Sequence, residues 1–466
     1  MSKETQPEKV SKGKMLSFGM GPFTNAVVYM SYNYLVFYYY EVELGLSTAL
    51  VGLSFIIFAV WNMVNDPLLG FFTDKPRKWS KKYGLRFPWV IFGGALQIVS
   101  VFLLFWIPNI PDPKTDPIPL FIYMVIVTCL FDTFFSIFHS NYVGGFANIF
   151  KTPDQRRTGS TTITFFAIMG RFLVVGLIVP FVVVYGDPSS YVRVALVICI
   201  LLTVALILFI PGIYESEEVK QRYLKIYEFM EAQKMPYFKL LKTAFKDKNW
   251  VIYIVVFTLQ IIASFLNQAS SLYFVREVLG QDIAVVGLGA MVFTIAFLPS
   301  MFLWTWVAKK TAHSNVSTIS LFILAVVFSL YLVITDVTGY IIVCIIGGCG
   351  SAAWVCILFS FTADSNDSVC NEVGRHVEST LVGIRNFFNR IAYIVVGGVI
   401  AGIHLWTGYV PGASQQTPSA QMGIRLHAGL VPLIVLLIAA FLMIKFYDLK
   451  GDKKTALLES MRQKGL

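Results

Sequence analysis

The stretch VWNMVNDPLLGFFTDKPRKW, residues 60–79, joins an apolar run that contains one acid to a basic end. The apolar run extends from about residue 49 to residue 72, long enough for a helix to cross a bilayer. Asp66 lies in the middle of this run, and no Lys or Arg occurs within one helical turn of it. The stretch therefore predicts a membrane-spanning helix that carries a carboxylate.

Similar apolar runs recur throughout the chain of 466 residues. Hydrophobic residues make up 56% of the composition and charged residues only 14%, whereas a soluble protein carries about a quarter charged residues. We therefore predict an all-α, multi-pass protein of the cell membrane. Its twelve predicted transmembrane helices cover residues 16–40, 49–72, 88–108, 118–147, 160–186, 191–213, 249–276, 284–308, 316–335, 340–363, 380–404 and 427–447.

Basic residues are distributed unevenly between the predicted loops, and they account for the net charge of +10. They concentrate before the first span, between the second and third, and after the fourth: Lys3, Lys9, Lys12, Lys14, Lys75, Arg77, Lys78, Lys81, Lys82, Arg86, Lys151, Arg156 and Arg157. Only Lys114 is basic between spans three and four. The positive-inside rule then predicts that both termini are cytoplasmic. The charge reflects topology, so we expect no nucleic-acid partner.

The longest polar segment separates the sixth predicted span from the seventh. Its Tyr, Leu, Ile and Phe residues recur at helical spacing between charges, which predicts an amphipathic helix on the cytoplasmic membrane surface. It divides the chain into an N-terminal six-helix half (residues 1–214), a linker (residues 215–248) and a C-terminal six-helix half with a short tail (residues 249–466). This layout is typical of secondary transporters, whose substrate sites lie near the bilayer midplane between the halves.

Few ionisable residues occur inside the predicted spans, and burying each costs at least roughly 2.5–3.5 kcal/mol, so each is a candidate functional residue. The candidates that we single out are Asp66, Asp132, His139, Arg171, Arg385 and Arg390. A structural role is the stronger interpretation for Asp132, His139 and Arg171, and Arg385 is placed to extend toward the cytoplasmic edge. This inventory contains no His pair and no paired carboxylates, so we expect neither an enzyme nor a cofactor.

Asn62 and Asp66 are the residues that the sequence favours for ion binding. They are four residues apart, so on a helix their side-chain oxygens share one face and can converge on one cation. Asp66 could instead bind a proton, or form a purely structural ion pair with Arg390. The only metal expected is Na⁺ at Asp66.

Polar and aromatic side chains within the spans are candidates for a sugar path. Asn25, Tyr29 and Tyr32 follow helical spacing on the first predicted span, and Trp354 lies on the tenth. Amides can bind sugar hydroxyls, and aromatic rings can pack against the apolar faces of a sugar ring. Core packing and the interfacial aromatic belt are the alternative roles for such rings.

The end of the second predicted span and the loop after it carry a motif of glycine and charged residues. Gly70, Asp74, Lys75 and Lys78 in GFFTDKPRK resemble the loop signature GxxxD(R/K)xG(R/K) of the major facilitator superfamily, with Arg77 in place of the second glycine. We expect the glycine to permit close helix approach and Asp74 to pair with a helix end. The resemblance implies a conformational latch rather than a substrate site.

Longer segments resemble a narrower family, the glycoside-pentoside-hexuronide:cation symporters. They are LSFGMGPFTNAVVYMSYNYLVFYYYEVELGLSTALVG (residues 16–52), WNMVNDPLLG (61–70), RFPW (86–89), ADSNDSVCNEVGRHVEST (363–380) and GYVPGASQQTPSAQMGIRL (408–426). The resemblance implies the major facilitator fold and cation-coupled alternating access by two six-helix halves. It implies a small-molecule cargo and a coupling ion, H⁺ or Na⁺, for a protein that we expect to be a monomer among membrane lipids.

The family's ion site transfers to this chain in part. By resemblance, Asp66 falls on the second carboxylate of the family's span-two pair, whereas Asn62 replaces the first. Arg390 falls on a lysine beside the cation site, and Asn386 on the threonine near it. An amide oxygen remains a competent ligand for a hard cation, so Na⁺ is not excluded. Coupling to Na⁺, coupling to H⁺ and uncoupled facilitation all stay open.

The family's sugar-binding acids are replaced in this chain. Ala26 falls where the resemblance places an acid on the first span, and His139 or Ser140 where it places one on the fourth. We therefore predict symport of a sugar or glycoside that the sequence does not identify, with His139 and Asn386 among the substrate residues. A lysophospholipid cargo is the main alternative, and a non-transporting membrane sensor is a remote one.

Overall fold

The structure is a computed structural model, and it describes residues 10–73, 77–108, 111–150, 153–217, 220, 237–374 and 377–464. Helices form nearly all of this part of the chain, and none of its residues lies in a β-strand. Helices satisfy their own backbone hydrogen bonds, as a segment in a bilayer requires. The prediction of an all-α membrane protein is confirmed.

The chain divides into two compact units. The first comprises Met1–Ser47 and Val60–Lys234, and the second comprises Thr48–Ala59 and Met235–Leu466. The helices from the N-terminus to residue 213 are α1 Lys12–Tyr38, α2 Thr48–Thr73, α3 Ser80–Tyr83, α4 Phe87–Phe105, α5 Ile118–Ile149, α6 Pro153–Phe172, α7 Val179–Val182 and α8 Pro188–Ile213. Short π-helical segments, Tyr39–Glu43 and Leu173–Ile178, extend α1 and join α6 to α7.

The remaining helices begin at residue 237. They are α9 Tyr237–Ala244, α10 Lys248–Tyr273, α11 Ala284–Lys310, α12 His313–Leu330, α13 Val337–Val373, α14 Glu378–Thr407, α15 Pro418–Arg425, α16 Val431–Lys445 and α17 Asp452–Gln463. Two further π-helical segments, Phe274–Val278 and Leu426–Leu430, continue α10 and join α15 to α16. Most of the predicted amphipathic linker, residues 218–219 and 221–236, lies outside the described residues.

Polar caps mark where several of these helices begin and end. The side chains of Asp247 and Asp336 accept hydrogen bonds from Trp250 N at 2.7 Å and Gly339 N at 2.7 Å, which satisfies backbone donors in the first turns of α10 and α13. Helix α14 ends at Gly408, whose φ of 70° is left-handed and suits glycine. The sequence thus encodes its helix boundaries in short polar residues between apolar runs.

Eleven helical segments of the described chain are long and apolar enough to cross a membrane. The first predicted span, residues 16–40, forms the long helix α1 but is less apolar than these eleven, because its Asn, Ser and Thr side chains interrupt the hydrophobic run. The predicted count of twelve is therefore not confirmed. The eleven segments are Thr48–Gly70, Phe87–Phe105, Ile118–Phe146, Thr162–Val182, Pro188–Ile213, Lys248–Val278, Ala284–Lys310, His313–Leu330, Val337–Val373, Thr380–Thr407 and Pro418–Lys445.

Each unit has its own aromatic core. In the first unit, Phe18 of α1, Phe138 and Tyr142 of α5 and Phe209 of α8 form one buried cluster with Val90 of α4. In the second unit, α10 packs against α14 and α16 and carries fully buried Trp and Tyr side chains. Helix α5 contributes to the first core and α10 to the second.

Candidate functional site

A row of polar side chains joins α2 to α5 within the first unit. Asn62, Asn65 and Asp66 share one face of α2 because they are spaced i, i+3 and i+4. Asn62 Nδ2 donates a hydrogen bond to Asp132 Oδ1, and Asn65 Nδ2 donates to Asp132 Oδ2 at 3.2 Å. One turn further along both helices, Ser136 Oγ donates to Asp66 Oδ1 at 2.5 Å. We call these five residues the α2–α5 polar row.

Burial makes the polar row an unusual environment for carboxylates. Asn62 is 0% exposed and Asp132 only 2%, while Asp66 is half-buried. Asp132 accepts a hydrogen bond on each of its oxygens, the arrangement that suits an ionised carboxylate. The structure therefore gives Asp132 amide partners on the same helix face that carries Asp66.

Asn62 also carries an unused acceptor. Its Oδ1 is buried and has no hydrogen-bond partner among the described residues, although its Nδ2 is bound to Asp132. A buried acceptor without a partner costs about 1–3 kcal/mol. Carbonyl oxygens of this kind are ligands for hard cations.

Sequence reasoning found only part of the polar row. It proposed Asn62 and Asp66, treated Asp132 as structural, and missed Asn65 and Ser136. A signal was present, because Asp132 and Ser136 repeat the i, i+4 spacing of Asn62 and Asp66 inside another apolar helix. Helical spacing alone, however, does not reveal which two helices face each other.

Three predicted substrate residues, Asn25, Tyr29 and His139, are brought together between α1 and α5. Asn25 Oδ1 lies 3.1 Å from His139 Nδ1. The His139 ring stacks on Phe135, with centroids 5.5 Å apart, and Tyr29 lies 6.1 Å from the same Phe135 ring. The result is a short path of amide, imidazole and aromatic groups along α5.

Tyr32 extends this aromatic path by about one turn. Its ring stacks on Phe131 with centroids 5.1 Å apart and an interplanar angle of 12°. Because Tyr32 is only 2% exposed, its ring contributes to packing as well as to the path.

The two predicted substrate residues of the second unit are linked through neighbours. Trp354 on α13 lies 6.3 Å from the Phe257 ring of α10, and the Arg385 guanidinium sits 4.8 Å above that ring. Arg385 Nη2 also donates to Asn386 Oδ1 at 3.4 Å. Trp354 and Asn386 thus flank one cation–π pair.

The Arg385 guanidinium also forms hydrogen bonds with two hydroxyl groups. Its Nη1 donates to Tyr253 Oη at 3.2 Å and to Thr362 Oγ1 at 3.4 Å. Arg385 thus makes polar contacts with α10 and α13, and its extension toward the cytoplasmic edge stays a prediction. Arg171, in contrast, is exposed on α6.

The remaining predicted residues have separate positions. Arg390, the expected counter-charge, is half-buried on α14 of the second unit. Asp74 and Lys75 of the predicted latch lie outside the described residues, and Lys78 is exposed in a turn. At Gly70, an added Cβ would have no described heavy atom within 4 Å, so the close helix approach expected there is not seen.

A buried histidine pair was absent from the sequence inventory. His404 Nε2 lies 3.1 Å from His427 Nε2, and His427 Nδ1 lies 2.7 Å from Ser270 Oγ. His404 also stacks on Tyr409, with centroids 4.1 Å apart. The prediction that the spans contain no His pair is wrong, because His404 on α14 and His427 in the π-helical segment Leu426–Leu430 meet in space. Groups of three or more potential metal ligands do not occur among the described residues.

The sequence of this chain is similar to those of known membrane transporters. Residues 17–451 match the family model described as MFS/sugar transport protein. The sodium-dependent lysophosphatidylcholine symporter 1 of Xenopus tropicalis is 22% identical over 448 residues, which cover 86% of this chain and 81% of that protein.

Two bacterial relatives match over nearly the full length. The putative glycoside/cation symporter YagG of Escherichia coli is 22% identical over 459 residues, 95% of this chain and 93% of that protein. The isoprimeverose transporter of Lactiplantibacillus pentosus is 22% identical over 482 residues, 99% of this chain and 95% of that protein. The fold resembles the crystal structure of the nucleoside transporter NupG, with a TM-score of 0.59, 14% identity, and coverage of 93% of this chain and 100% of that one.

The family match and the membrane-spanning helices both indicate a membrane transport protein. It is a multi-pass protein of the cell membrane, and its relatives and structural neighbours are transporters rather than enzymes. The predicted family is confirmed: the chain belongs to the MFS/sugar transport protein family and, within it, to the glycoside-pentoside-hexuronide:cation symporter family.

Proposed function

We propose that this protein is a secondary active transporter that moves a sugar or glycoside together with a cation, H⁺ or Na⁺, by alternating access. The observation that supports cation coupling is the environment of Asp66, a half-buried carboxylate inside a membrane span. It accepts a hydrogen bond of 2.5 Å from Ser136, and the buried amide of Asn62 lies one helical turn away on the same face of α2. An ionisable group held in this way within a bilayer marks an ion or substrate pathway.

In this proposal Asp66 and Asn62 bind the coupling ion and Arg390 supplies a competing positive charge. The guanidinium does not deprotonate, so its attraction for Asp66 would persist until an ion or a conformational change replaces it. Gly70, Asp74, Lys75 and Lys78 would act as the latch between conformations. We also propose cytoplasmic termini and the division into residues 1–214, 215–248 and 249–466.

Six residues are proposed to bind the cargo. Asn25 and His139 offer hydrogen-bonding groups 3.1 Å apart, and the rings of Tyr29 and Tyr32 follow on the same helix, α1, against Phe135 and Phe131 of α5. Trp354 and Asn386 would complete recognition. Polar groups beside flat aromatic faces are what a sugar needs, because its ring has hydroxyl edges and apolar faces. The names of the YagG and isoprimeverose relatives support a glycoside.

A lysophospholipid is the second candidate cargo. It is favoured by the match to a sodium-dependent lysophosphatidylcholine symporter, which covers 86% of this chain. Such a cargo would use the aromatic surface of Tyr32 and Phe131 for its chain rather than for a sugar face.

Uptake into proteoliposomes tests the proposal. Purified protein would be exposed to radiolabelled glycosides or to lysophosphatidylcholine while an inward Na⁺ gradient, an inward H⁺ gradient or neither is imposed. We expect gradient-driven accumulation of a glycoside. Accumulation of the lipid alone would replace the sugar with the second candidate, and binding without accumulation of any cargo would indicate a sensor instead of a transporter.

A further inference from the structure

A groove lies between α10 and α16 of the second unit, beside the end of each helix. Its volume is about 400 Å³, and its apolar lining consists of Phe245, Val251, Ile252, Val255, Leu442 and Phe446. Lys248 begins the membrane-spanning segment of α10, and Lys445 ends that of α16. The groove therefore lies where two packed spans meet the same membrane surface, within reach of the acyl chains and headgroups of one leaflet.

Two lysines flank the ring of Phe446, which lines this groove. Lys248 Nζ lies 5.9 Å from the ring centroid, and Lys445 Nζ lies 5.6 Å from it. In the described part of the chain, the contacts of Lys445 are with the rings of Phe446 and Phe441 and not with an acid. A phosphate group beside Phe446 would be within reach of both flexible side chains.

The charge at this end of the groove is positive. Asp448 is a nearby carboxylate, but its Oδ2 lies 2.6 Å from Lys453 and 3.9 Å from Lys248. The side chains of Lys248 and Asp448 are 55% and 40% exposed, so water screens their attraction. Lys248 is also the first residue of α10, a position where the helix dipole favours an anion over a cation. An anion bound there would be attracted by the lysines and by the helix end.

Lysines at the ends of membrane spans have a simpler role, which is to extend into the headgroup region without a specific partner. That role requires no groove. Here the lysines flank an apolar groove that offers an acyl chain contact with two helices at once. Basic groups beside a groove between spans are the arrangement that binds anionic lipid headgroups.

We propose that this groove binds one anionic phospholipid of the surrounding membrane, with an acyl chain between α10 and α16 and the phosphate between Lys248 and Lys445. The apolar lining removes methylene groups from water, and the two lysines complement the charge of the headgroup. The lipid is a resident ligand and not a cargo, so the inference does not depend on the proposed transport.

Native mass spectrometry of the purified full-length protein tests this site. The protein in detergent would be mixed with phosphatidylglycerol and phosphatidylcholine that carry the same acyl chains, and the lipids retained would be counted. We expect the wild type to retain one phosphatidylglycerol in preference to phosphatidylcholine. Lys248→Gln combined with Lys445→Gln should weaken phosphatidylglycerol binding about 25-fold, which is about fivefold for each lysine.

Lys310→Gln is the matched control. Lys310 Nζ also lies over an aromatic ring, 3.7 Å from the Trp306 centroid, but it ends α11, which does not line the groove. Its loss should leave phosphatidylglycerol binding unchanged. Replacement of Lys248 and Lys445 by arginine keeps both charges and should preserve the affinity to within about threefold, because arginine also binds phosphate.

A further variant tests whether the acyl chain enters the groove. Val255 is 39% exposed on the lining, so Val255→Trp would fill the groove from its open side while both lysines remain. We expect phosphatidylglycerol binding to weaken about tenfold or more, because the chain loses apolar contact. Glycerol 3-phosphate, which has the phosphate without a chain, should not displace the lipid at equal concentration.

Several results would overturn the assignment. They are equal retention of phosphatidylcholine by the wild type, undiminished phosphatidylglycerol binding in the double glutamine variant, and undiminished binding in Val255→Trp. Efficient displacement by glycerol 3-phosphate would assign the lysines to a free phosphate ligand instead of a lipid. The lysine substitutions lie at exposed positions, so we expect these variants to fold, and the Tm of each variant would verify this.

Discussion

Arg385 shows how a charged side chain is held inside a membrane span. Two hydroxyl groups accept its hydrogen bonds, and an aromatic ring lies beneath its guanidinium at 4.8 Å. Hydroxyl, amide and π-electron partners replace the water that the charge loses in the bilayer. The α2–α5 polar row treats its carboxylates in the same way, since amides and a hydroxyl donate to them. Charges in these spans therefore belong to local networks.

Asp66→Asn is the residue-scale test of ion coupling. The new amide oxygen can still accept the hydrogen bond from Ser136, so we expect the variant to fold. It loses the formal charge that would bind the cation, and gradient-driven accumulation should fall at least about tenfold, equivalent to roughly 1.4 kcal/mol of ion binding. Uptake in proteoliposomes measures this, with Asp187→Asn, at a partly exposed acid before α8, as control. Unchanged accumulation would exclude Asp66 from coupling.

Glu215, just beyond the end of α8, gives a pH-dependent prediction. Burial raises its pKa, although a hydrogen bond from Arg86 N at 3.0 Å acts in the opposite direction. A raised pKa means that the folded protein binds the proton more tightly than the unfolded chain does. The stabilisation is therefore fully present below the unfolded pKa, about 4.3, and it is lost as pH rises through the folded value.

Glu215→Gln should remove this dependence. Between about pH 4.3 and pH 7 the variant should lose less stability than the wild type, because no carboxylate has to ionise in a buried position. Thermal unfolding at several pH values measures it, and the exposed Glu459→Gln is the control. A variant whose Tm falls as steeply as that of the wild type would contradict the prediction.

At the scale of elements, α2 has two parts with different surroundings. Thr48–Ala59 groups with the second unit, while the part from Val60 onward belongs to the first. The polar residues Asn62 and Asp66 lie in the later part, which is why their partners come from α5. Helix α2 thus carries its ion-binding candidates on the part that packs within the first unit.

Helices α1 and α8 approach so closely that glycine is required at residue 212. A Cβ at this position would clash with the backbone of Phe18. Backbone atoms in a helix cannot move aside as a flexible side chain can. We expect Gly212→Ala to destabilise the protein by about 1–3 kcal/mol, measured as a lower Tm. Gly70→Ala is the matched control, because a Cβ there meets open space and should leave stability unchanged or raise it by up to about 1 kcal/mol. Equal Tm losses in both variants would contradict the packing argument.

At the scale of the whole molecule, the placement of charge predicts orientation. Cations lie before α1 and between α2 and α4, whereas the segment between α4 and α5 contains one, Lys114. After replacement of the six native cysteines, Lys114→Cys should react with a membrane-impermeant maleimide in intact cells. Lys464→Cys should react only after the membrane is permeabilised. The opposite labelling pattern would invert the proposed topology.

The sequence by itself determined the all-α membrane class, the family, nearly all helix positions and the candidates Asn62 and Asp66. These follow from local information, since apolar run length, i, i+4 spacing and quoted motifs are all read from neighbouring residues. Only the tertiary structure decided that Asp132 and Ser136 face α2, that Arg385 contacts Tyr253 and Thr362, and that His404 meets His427. The physical reason is that an amphipathic pattern fixes which face of a helix is polar, while the partner of that face depends on how whole helices pack.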